Sequence, residues 1–165
     1  MDCYPILQYP NTKLREPGKK VEKFDAELKS IVDKMFVTHY AQENCAALAA
    51  TQLGIPLRIT VIDFSETKDQ PLCLINPEIV NREGKETSPE GCMSVPVLTA
   101  KVTRAEKITV KYFNVKGEER EMTADGFMAK CIQHEIDHLD GILYIDRLSP
   151  LKKKMLEMKL RRHSA

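Results

Sequence analysis

The stretch that decides the fold is Gln133-His134-Glu135-Ile136-Asp137-His138. Histidines four positions apart lie one turn apart on the same face of a helix, so both imidazoles can point at one ion. Glu135 lies beside them, offset by one residue, where a carboxylate can move a proton without being a ligand. The stretch therefore predicts metal-assisted hydrolysis on a helix.

The surrounding helix is predicted to be buried. Thr123 and Asp125 offer capping oxygens at its start, and Gly141 follows its predicted end near Asp140. Most of its circumference is apolar, formed by Phe127, Met128, Cys131, Ile132, Ile136 and Leu139. Two histidines and a glutamate on such a helix are costly unless a metal or another partner engages them. The alternative is a chance match, with two satisfied core histidines and a surface glutamate.

A third protein ligand is available in Glu90-Gly91-Cys92-Met93-Ser94. A catalytic metal site needs three protein ligands and an open position. Cys92 lies in a tight, glycine-containing turn between predicted strands, although a lone cysteine is more often a small core residue than a ligand. This turn makes Cys92 the candidate third ligand.

The rest of the chain predicts an α+β fold, with short mixed or antiparallel β-sheets around a buried central helix that carries the histidines. Apolar residues at helical spacing predict a first helix from Asp25 to about Ala41. The predicted strands are Arg58–Phe64, Leu72–Val80, Lys107–Phe113 and Glu119–Met122, the last two joined by a turn at residues 114–117. Ser149 and Pro150 begin a basic C-terminal helix.

Composition limits the classes of protein that fit. The 165 residues suit one domain, taken as residues 1–165, and 25 basic against 24 acidic side chains give no charge that argues for nucleic acid. No apolar run approaches the roughly 20 residues of a membrane span, and no secretory signal is evident. Five cysteines without paired spacing suit a reducing compartment, so we expect a cytoplasmic protein with no membrane contact.

Three segments together resemble the motifs of the peptide deformylase family. They are Cys45-Ala46-Ala47-Leu48-Ala49-Ala50-Thr51-Gln52, Glu90–Ser94 and Gln133–His138. The opening Ile6–Pro10 and the closing Leu148–Lys152 also resemble the ends of that family, so the resemblance covers essentially the whole chain.

The resemblance implies roles for individual residues. Cys92, His134 and His138 would hold the metal, and Glu135 would be the general acid/base. The amide of Gln52 and the backbone N–H of Met93 would hold the oxyanion. The residues implied to contact substrate are Ala46, Ala47, Gly91, Phe127 and Cys131. An ion pair between Glu90 and Arg104 would brace the metal-bearing turn.

The resemblance also implies the reaction and the partners. The expected reaction removes the formyl group from the formyl-methionine of nascent polypeptides and releases formate. Iron as Fe²⁺ is expected in the cell, whereas ligand chemistry alone leaves Zn²⁺, Ni²⁺ and Co²⁺ open. We expect a monomer that contacts the ribosome through the basic C-terminal helix.

Two features of the sequence keep alternatives open. Cys45 and Ala47 stand where the family has glycines, which suggests a non-catalytic or altered-substrate relative, and Lys130 stands where relatives carry an apolar residue. We expect Cys45 to be a buried thiol rather than a ligand. An ordinary HExxH zinc metalloprotease would instead take its third ligand downstream, where Glu157 is the candidate.

Overall fold

A computed structural model describes residues 2–164, and these residues form three α-helices and seven strands. The helices are α1 (Ala26–Tyr40), α2 (Gly126–Leu139) and α3 (Pro150–Ser164). The strands are β1 (Ala47–Ala49), β2 (Ile59–Ile62), β3 (Leu72–Glu83), β4 (Glu86–Cys92), β5 (Val95–Arg104), β6 (Lys107–Phe113) and β7 (Glu119–Asp125). Short 3₁₀ turns occupy Thr12–Arg15, Ala50–Leu53 and Tyr144–Arg147.

The strands form two antiparallel sheets. One has five strands in the order β1-β2-β3-β6-β7, and the other is the hairpin β4-β5. The α+β class is therefore confirmed, with antiparallel rather than mixed sheets.

Local sequence explains several boundaries. The Asp25 side chain accepts a hydrogen bond from the Leu28 amide at 3.0 Å and caps α1 as predicted. At the turn between β6 and β7, the Asn114 side chain accepts from the amides of Lys116 and Glu118, both at 3.0 Å. Gly117 there has a φ of 82°, which glycine adopts at little cost.

The predicted bounds of α2 are confirmed, but the predicted capping bonds at its start are not. Asp125 occupies the capping position, but its side chain makes no hydrogen bond to the helix. Thr123 lies within β7, where its hydroxyl pairs with that of Thr109 at 3.3 Å. The reason is that β7 continues through Asp125, which pairs with Lys107, so the strand leads directly into the helix.

Helix α2 packs against the large sheet through its apolar face. Ala129 and Ile132 are fully buried and belong to a cluster with Ile108 and Val110 of β6. Burial of this kind stabilises a fold by about 25 cal/mol per Å² of apolar surface. The packing fixes the helix that carries the two histidines.

The N-terminal segment fixes the other end of α2. The Gly18 amide donates to the Leu139 carbonyl at 2.8 Å, and Arg58 donates to the same oxygen at 2.9 Å. A Cβ atom on Gly141, whose φ is 77°, would lie 2.3 Å from the Arg15 carbonyl oxygen. The chain can pass so closely only because residue 141 is glycine.

Within residues 2–164, none of the helices combines the length and the apolar character that crossing a membrane requires.

Asp63, just after β2, generates a prediction about stability and pH. Burial alone would raise its pKa, but hydrogen bonds from Ser65, Tyr40 and Gln70 lower it to about 2, below the ordinary 3.8. Because the folded pKa is depressed, the stabilisation is present above pH 4 and is lost as the pH falls toward 2. We expect Asp63→Asn to lower the free energy of unfolding by about 1 kcal/mol at pH 7.

Urea unfolding of both proteins between pH 7 and pH 3 checks this. The difference in the free energy of unfolding between wild type and Asp63→Asn should become smaller as the pH falls. A difference that stays constant with pH would contradict the prediction.

Candidate metal centre and active site

Three donor atoms converge where β4 ends against α2. The Nε2 atom of His138 lies 3.2 Å from Cys92 Sγ and 3.1 Å from His134 Nε2. All three donors lie within 4.8 Å of one another, and His138 is buried. The structure thus brings together the three predicted ligands.

The donors fit a divalent metal ion. Around a tetrahedral ion with N and S ligands at ordinary bond lengths, donor atoms lie about 3.3–3.6 Å apart. The carboxylate beside His134 Nδ1 assigns the proton to that nitrogen, so Nε2 keeps its lone pair. A cysteine sulfur and two imidazole nitrogens at these distances are a donor set that suits a divalent cation.

Glu90 orients the first histidine. Its carboxylate accepts from His134 Nδ1 at 2.9 Å and from both Nε and Nη2 of Arg104, also at 2.9 Å. Burial alone would raise the pKa of Glu90, but the Arg104 guanidinium and His134 hold it at about 2. The predicted pair of Glu90 and Arg104 is confirmed as a bidentate, buried ion pair.

The same guanidinium also binds a carboxylate on α2. Arg104 Nη1 donates to Asp137 Oδ2 at 2.5 Å, and Arg147 donates to both Asp137 oxygens at 3.0 and 2.6 Å. Neither of these arginine partners of Asp137 was predicted from the sequence. Its charge on an otherwise apolar helix was the available signal, because a buried carboxylate requires paired cations.

Glu135 is buried beside the donors without being one of them. Its Oε2 atom has no hydrogen-bond partner among residues 2–164. Burial raises the pKa of Glu135 to about 7, although His134 and Arg104 act in the opposite direction. Such a carboxyl can accept and return a proton near neutral pH.

Gln52 faces the donors from the 3₁₀ turn after β1. Its Nε2 atom donates to Ser94 Oγ at 3.0 Å and lies 3.5 Å from Cys92 Sγ. Its Oε1 atom accepts from the Ala49 amide at 2.9 Å, which fixes the orientation of the side-chain amide. Met93 and Ser94 form the two-residue turn of the β4–β5 hairpin, since Cys92 pairs with Val95.

A cavity of about 730 Å³ opens beside these groups. Every residue that the resemblance assigned to substrate lines it: Ala46, Ala47, Gly91, Phe127 and Cys131. Gln52, Cys92, Met93, His134 and Glu135 line it as well. The predicted catalytic and substrate-contacting residues therefore share one cavity.

Cys45, Ala47 and Lys130, which differ from the residues usual in the family, also line this cavity. Cys45 is half-buried rather than buried, because its Sγ atom lies at the cavity wall, 3.3 Å from His39 Nδ1. Burial and the nearby Glu135 raise the pKa of the Cys45 thiol to about 12, so it stays protonated and is a poor metal ligand. Lys130 is ion-paired with Glu86, at 2.6 Å.

Glu157 is not a donor at this centre. The Tyr9 hydroxyl donates to its Oε2 atom at 2.9 Å on α3. Within the described residues, the donor group contains only Cys92, His134 and His138. A metalloprotease arrangement with Glu157 as third ligand is therefore wrong.

Cys92, His134 and Glu135 line the cavity, and the buried His138 completes the donor group beside them. Two imidazoles and a cysteine sulfur next to an unpartnered carboxylate oxygen are the arrangement of a metal-dependent hydrolase. Residues 3–154 match the polypeptide deformylase family. The chain belongs to this family, whose members are metal-dependent enzymes.

Several peptide deformylases resemble this chain in sequence or structure over nearly its whole length. Peptide deformylase 1 of Coxiella burnetii is 57% identical over 160 residues, which cover 95% of this chain and 94% of that protein. A crystal structure of a peptide deformylase from Legionella pneumophila has a TM-score of 0.92 and 42% identity, over 99% of this chain and 96% of that one. The peptide deformylase of Thermotoga maritima has a TM-score of 0.85 and 39% identity, over 91% and 100%.

The ion pairs of Arg104 generate a prediction about stability. Its side chain is only 4% exposed, so Arg104→Met leaves the carboxylates of Glu90 and Asp137 without their shared cation. We expect a loss of about 3–5 kcal/mol in the free energy of unfolding, measured by urea denaturation at matched metal content.

Arg120→Met is the matched control, since Arg120 pairs with Glu118 on the surface, where a pair contributes at most about 1 kcal/mol. Equal losses in the two variants would contradict the bracing role of Arg104.

Proposed function

We propose that this chain hydrolyses the N-formyl group of nascent polypeptides that begin with formyl-methionine, releasing formate and a free amino terminus. The observation that carries the proposal is the convergence of Cys92, His134 and His138 beside the unpartnered carboxylate of Glu135. Membership of the deformylase family supports the same activity.

The ligands of the metal, on this proposal, are Cys92 Sγ, His134 Nε2 and His138 Nε2. A divalent ion bound there supplies Lewis-acid polarisation of the formyl carbonyl and an acidified water. We propose Fe²⁺ in the cell, with Zn²⁺, Ni²⁺ or Co²⁺ able to replace it, since a thiolate with two imidazoles suits all four.

Glu135 and Gln52 carry the steps that the protein itself performs. The Oε2 atom of Glu135 takes a proton from the attacking water. It then gives this proton to the nitrogen that leaves when the formyl C–N bond breaks. The Gln52 Nε2 and the Met93 backbone N–H donate to the oxygen on which negative charge develops. The hydrogen bonds of Gln52 to Ala49 and Ser94 support this role, because they hold the amide in place before substrate arrives.

Substrate contact, on this proposal, falls to Ala46, Ala47, Gly91, Phe127 and Cys131. Their shared cavity supports the assignment. The close similarity to named deformylases does not favour a non-catalytic relative or a zinc protease.

Four further predictions complete the proposal. Residues 1–165 form one catalytic domain, although Met1 and Ala165 lie outside the described residues. The protein is a monomer located in the cytoplasm. It contacts the ribosome through α3, whose exposed Lys152, Lys154 and Lys159 can bind phosphate.

The first experiment measures formate release from formyl-Met-Ala-Ser by anaerobically purified protein, with bound metals quantified. We expect activity with iron present. Glu135→Ala should lose at least about 100-fold in kcat while keeping its metal, because it lacks the proton carrier but retains the ligands. Cys92→Ala should lose the metal as well.

Cys73→Ala is the matched control, because Cys73 lies half-buried on β3, away from the donors. It should keep both metal and activity. A metal-loaded wild type that releases no formate would refute the proposed function, and full activity in Glu135→Ala would refute the role of Glu135.

The ribosome contact is tested by replacing Lys152, Lys154 and Lys159 with glutamine. We expect co-sedimentation with ribosomes to fall at least about tenfold at low salt, because three phosphate contacts are removed, while activity on the free tripeptide is kept. Replacing Lys19, Lys20 and Lys23, which are exposed elsewhere, is the control. If both triple variants co-sedimented with ribosomes to the same extent, the proposed contact through α3 would be refuted.

A further inference from the structure

The hydroxyl of Thr51 joins the turn that carries Gln52 to the helix that carries the two histidines. Its Oγ1 atom donates to the backbone carbonyl of His138 at 2.9 Å, across 87 positions of the chain. Thr51 is only 4% exposed, so this hydrogen bond is withdrawn from solvent. A residue beside the proposed oxyanion donor is thus bonded directly to a proposed metal ligand.

The two histidines are held in different ways. The ring of His134 is oriented by the Glu90 carboxylate, which accepts from its Nδ1 atom at 2.9 Å. The Nδ1 atom of the buried His138 has no hydrogen-bond partner among residues 2–164. Because no partner on Nδ1 orients this second ring, the placement of His138 depends on its backbone.

The backbone carbonyl of His138 lies in the last turn of α2, where carbonyls lack the helical amides that would otherwise bind them. It accepts from the Gly141 amide at 3.0 Å, just after the helix, and from the Thr51 hydroxyl. Of these two donors, Thr51 is the one that comes from a distant part of the chain. Its hydroxyl therefore fixes the end of α2 against the turn after β1.

The other hydrogen bonds of Gln52 lead elsewhere. Its side chain accepts from the Ala49 amide and donates to Ser94, and its backbone carbonyl accepts from the Leu7 amide at 2.8 Å. None of these three bonds reaches α2. The bond from Thr51 thus sets the distance between the turn that carries Gln52 and the helix.

We propose that Thr51 is a positioning residue, whose hydroxyl fixes the distance between the Gln52 amide and His138. This inference rests on the proposed function, in which Gln52 stabilises the developing negative charge and His138 binds the metal. The reacting carbonyl must lie between these two groups, and a displacement of about 1 Å can cost about 100-fold in rate. Thr51 is not among the described residues that line the cavity, so it acts through its neighbours.

The test compares two substitutions of Thr51. Thr51→Val keeps the branched shape of the side chain and removes the hydroxyl, whereas Thr51→Ser keeps the hydroxyl. Thr51→Val should lower kcat on formyl-Met-Ala-Ser at least about tenfold and change KM less than about twofold, because alignment matters most in the transition state. Thr51→Ser should keep kcat within about threefold of the wild type.

Metal retention gives a readout that needs no turnover. Zinc-loaded protein is mixed with a chromogenic chelator, and the rate of zinc release is followed. Thr51→Val should release zinc at least about tenfold faster than the wild type, because the ring of His138 has no partner on Nδ1. If the wild type released no formate, the proposed function would fail, yet this difference in zinc release would still support the link from Thr51 to His138.

Thr60→Val is the matched control. Thr60 is also buried, and its Oγ1 atom donates to the Leu48 carbonyl at the same distance of 2.9 Å. The backbone pairing of β1 with β2 remains in this variant, since Ala49 pairs with Thr60. Thr60→Val should lower the free energy of unfolding about as much as Thr51→Val, but should change neither kcat nor zinc release.

Two outcomes would overturn the proposal. One is that Thr51→Val loses stability as Thr60→Val does and keeps the wild-type kcat and zinc release. The other is that Thr51→Ser is as slow as Thr51→Val, since the hydroxyl would then not be the cause. If Thr51→Val did not fold, Thr51→Ser and Thr51→Ala, which differ only in the hydroxyl, would give the same comparison, and equal kcat values in these two would overturn the proposal.

Discussion

The pairing of one buried guanidinium with two carboxylates holds the site together. Arg104 at the end of β5 binds Glu90 on β4 and Asp137 on α2. Glu90 lies two residues before Cys92 and hydrogen-bonds His134, while Asp137 adjoins His138. The planar fork of an arginine can grip two carboxylates in fixed directions, which the single ammonium of a lysine cannot do. Arg104 thus braces Cys92 on β4 against the two histidines of α2, and these three residues are the candidate metal ligands.

Much of the fold could be predicted because its signals are local. The cap at Asp25 and the Asn114–Gly117 turn depend on residues a few positions apart, so single segments of sequence reveal them. The β4–β5 hairpin is different, because Pro89 and Pro96 interrupt the pattern of a strand. It is stabilised by distant residues: Val95 and Val102 pack with Tyr144, Ile145 and Leu160. No local pattern reports such packing.

The candidate site likewise has features that local sequence predicted and features that it could not predict. The spacing of His134, Glu135 and His138 predicted their common helix face, and the turn around Cys92 predicted a third donor. The sequence could not reveal that Arg104 also binds Asp137, 33 positions away, or that Lys130 binds Glu86, 44 positions away. Both pairings exist only because α2 lies against β4 and β5. Helical periodicity identifies which residues share a face, but not what that face meets.

The path of the N-terminal segment has a consequence for how the protein is made. The Tyr9 amide donates to the Ser94 carbonyl, the Gly18 amide to that of Leu139, and the Tyr9 hydroxyl to Glu157, 148 positions later. Tyr9 and Gly18 thus find partners that are synthesised many positions later. Contacts so distant along the chain require long loops to close, which slows folding. A chain that acts on polypeptides still being translated therefore cannot complete the contacts of its own Tyr9 until Glu157 has been translated.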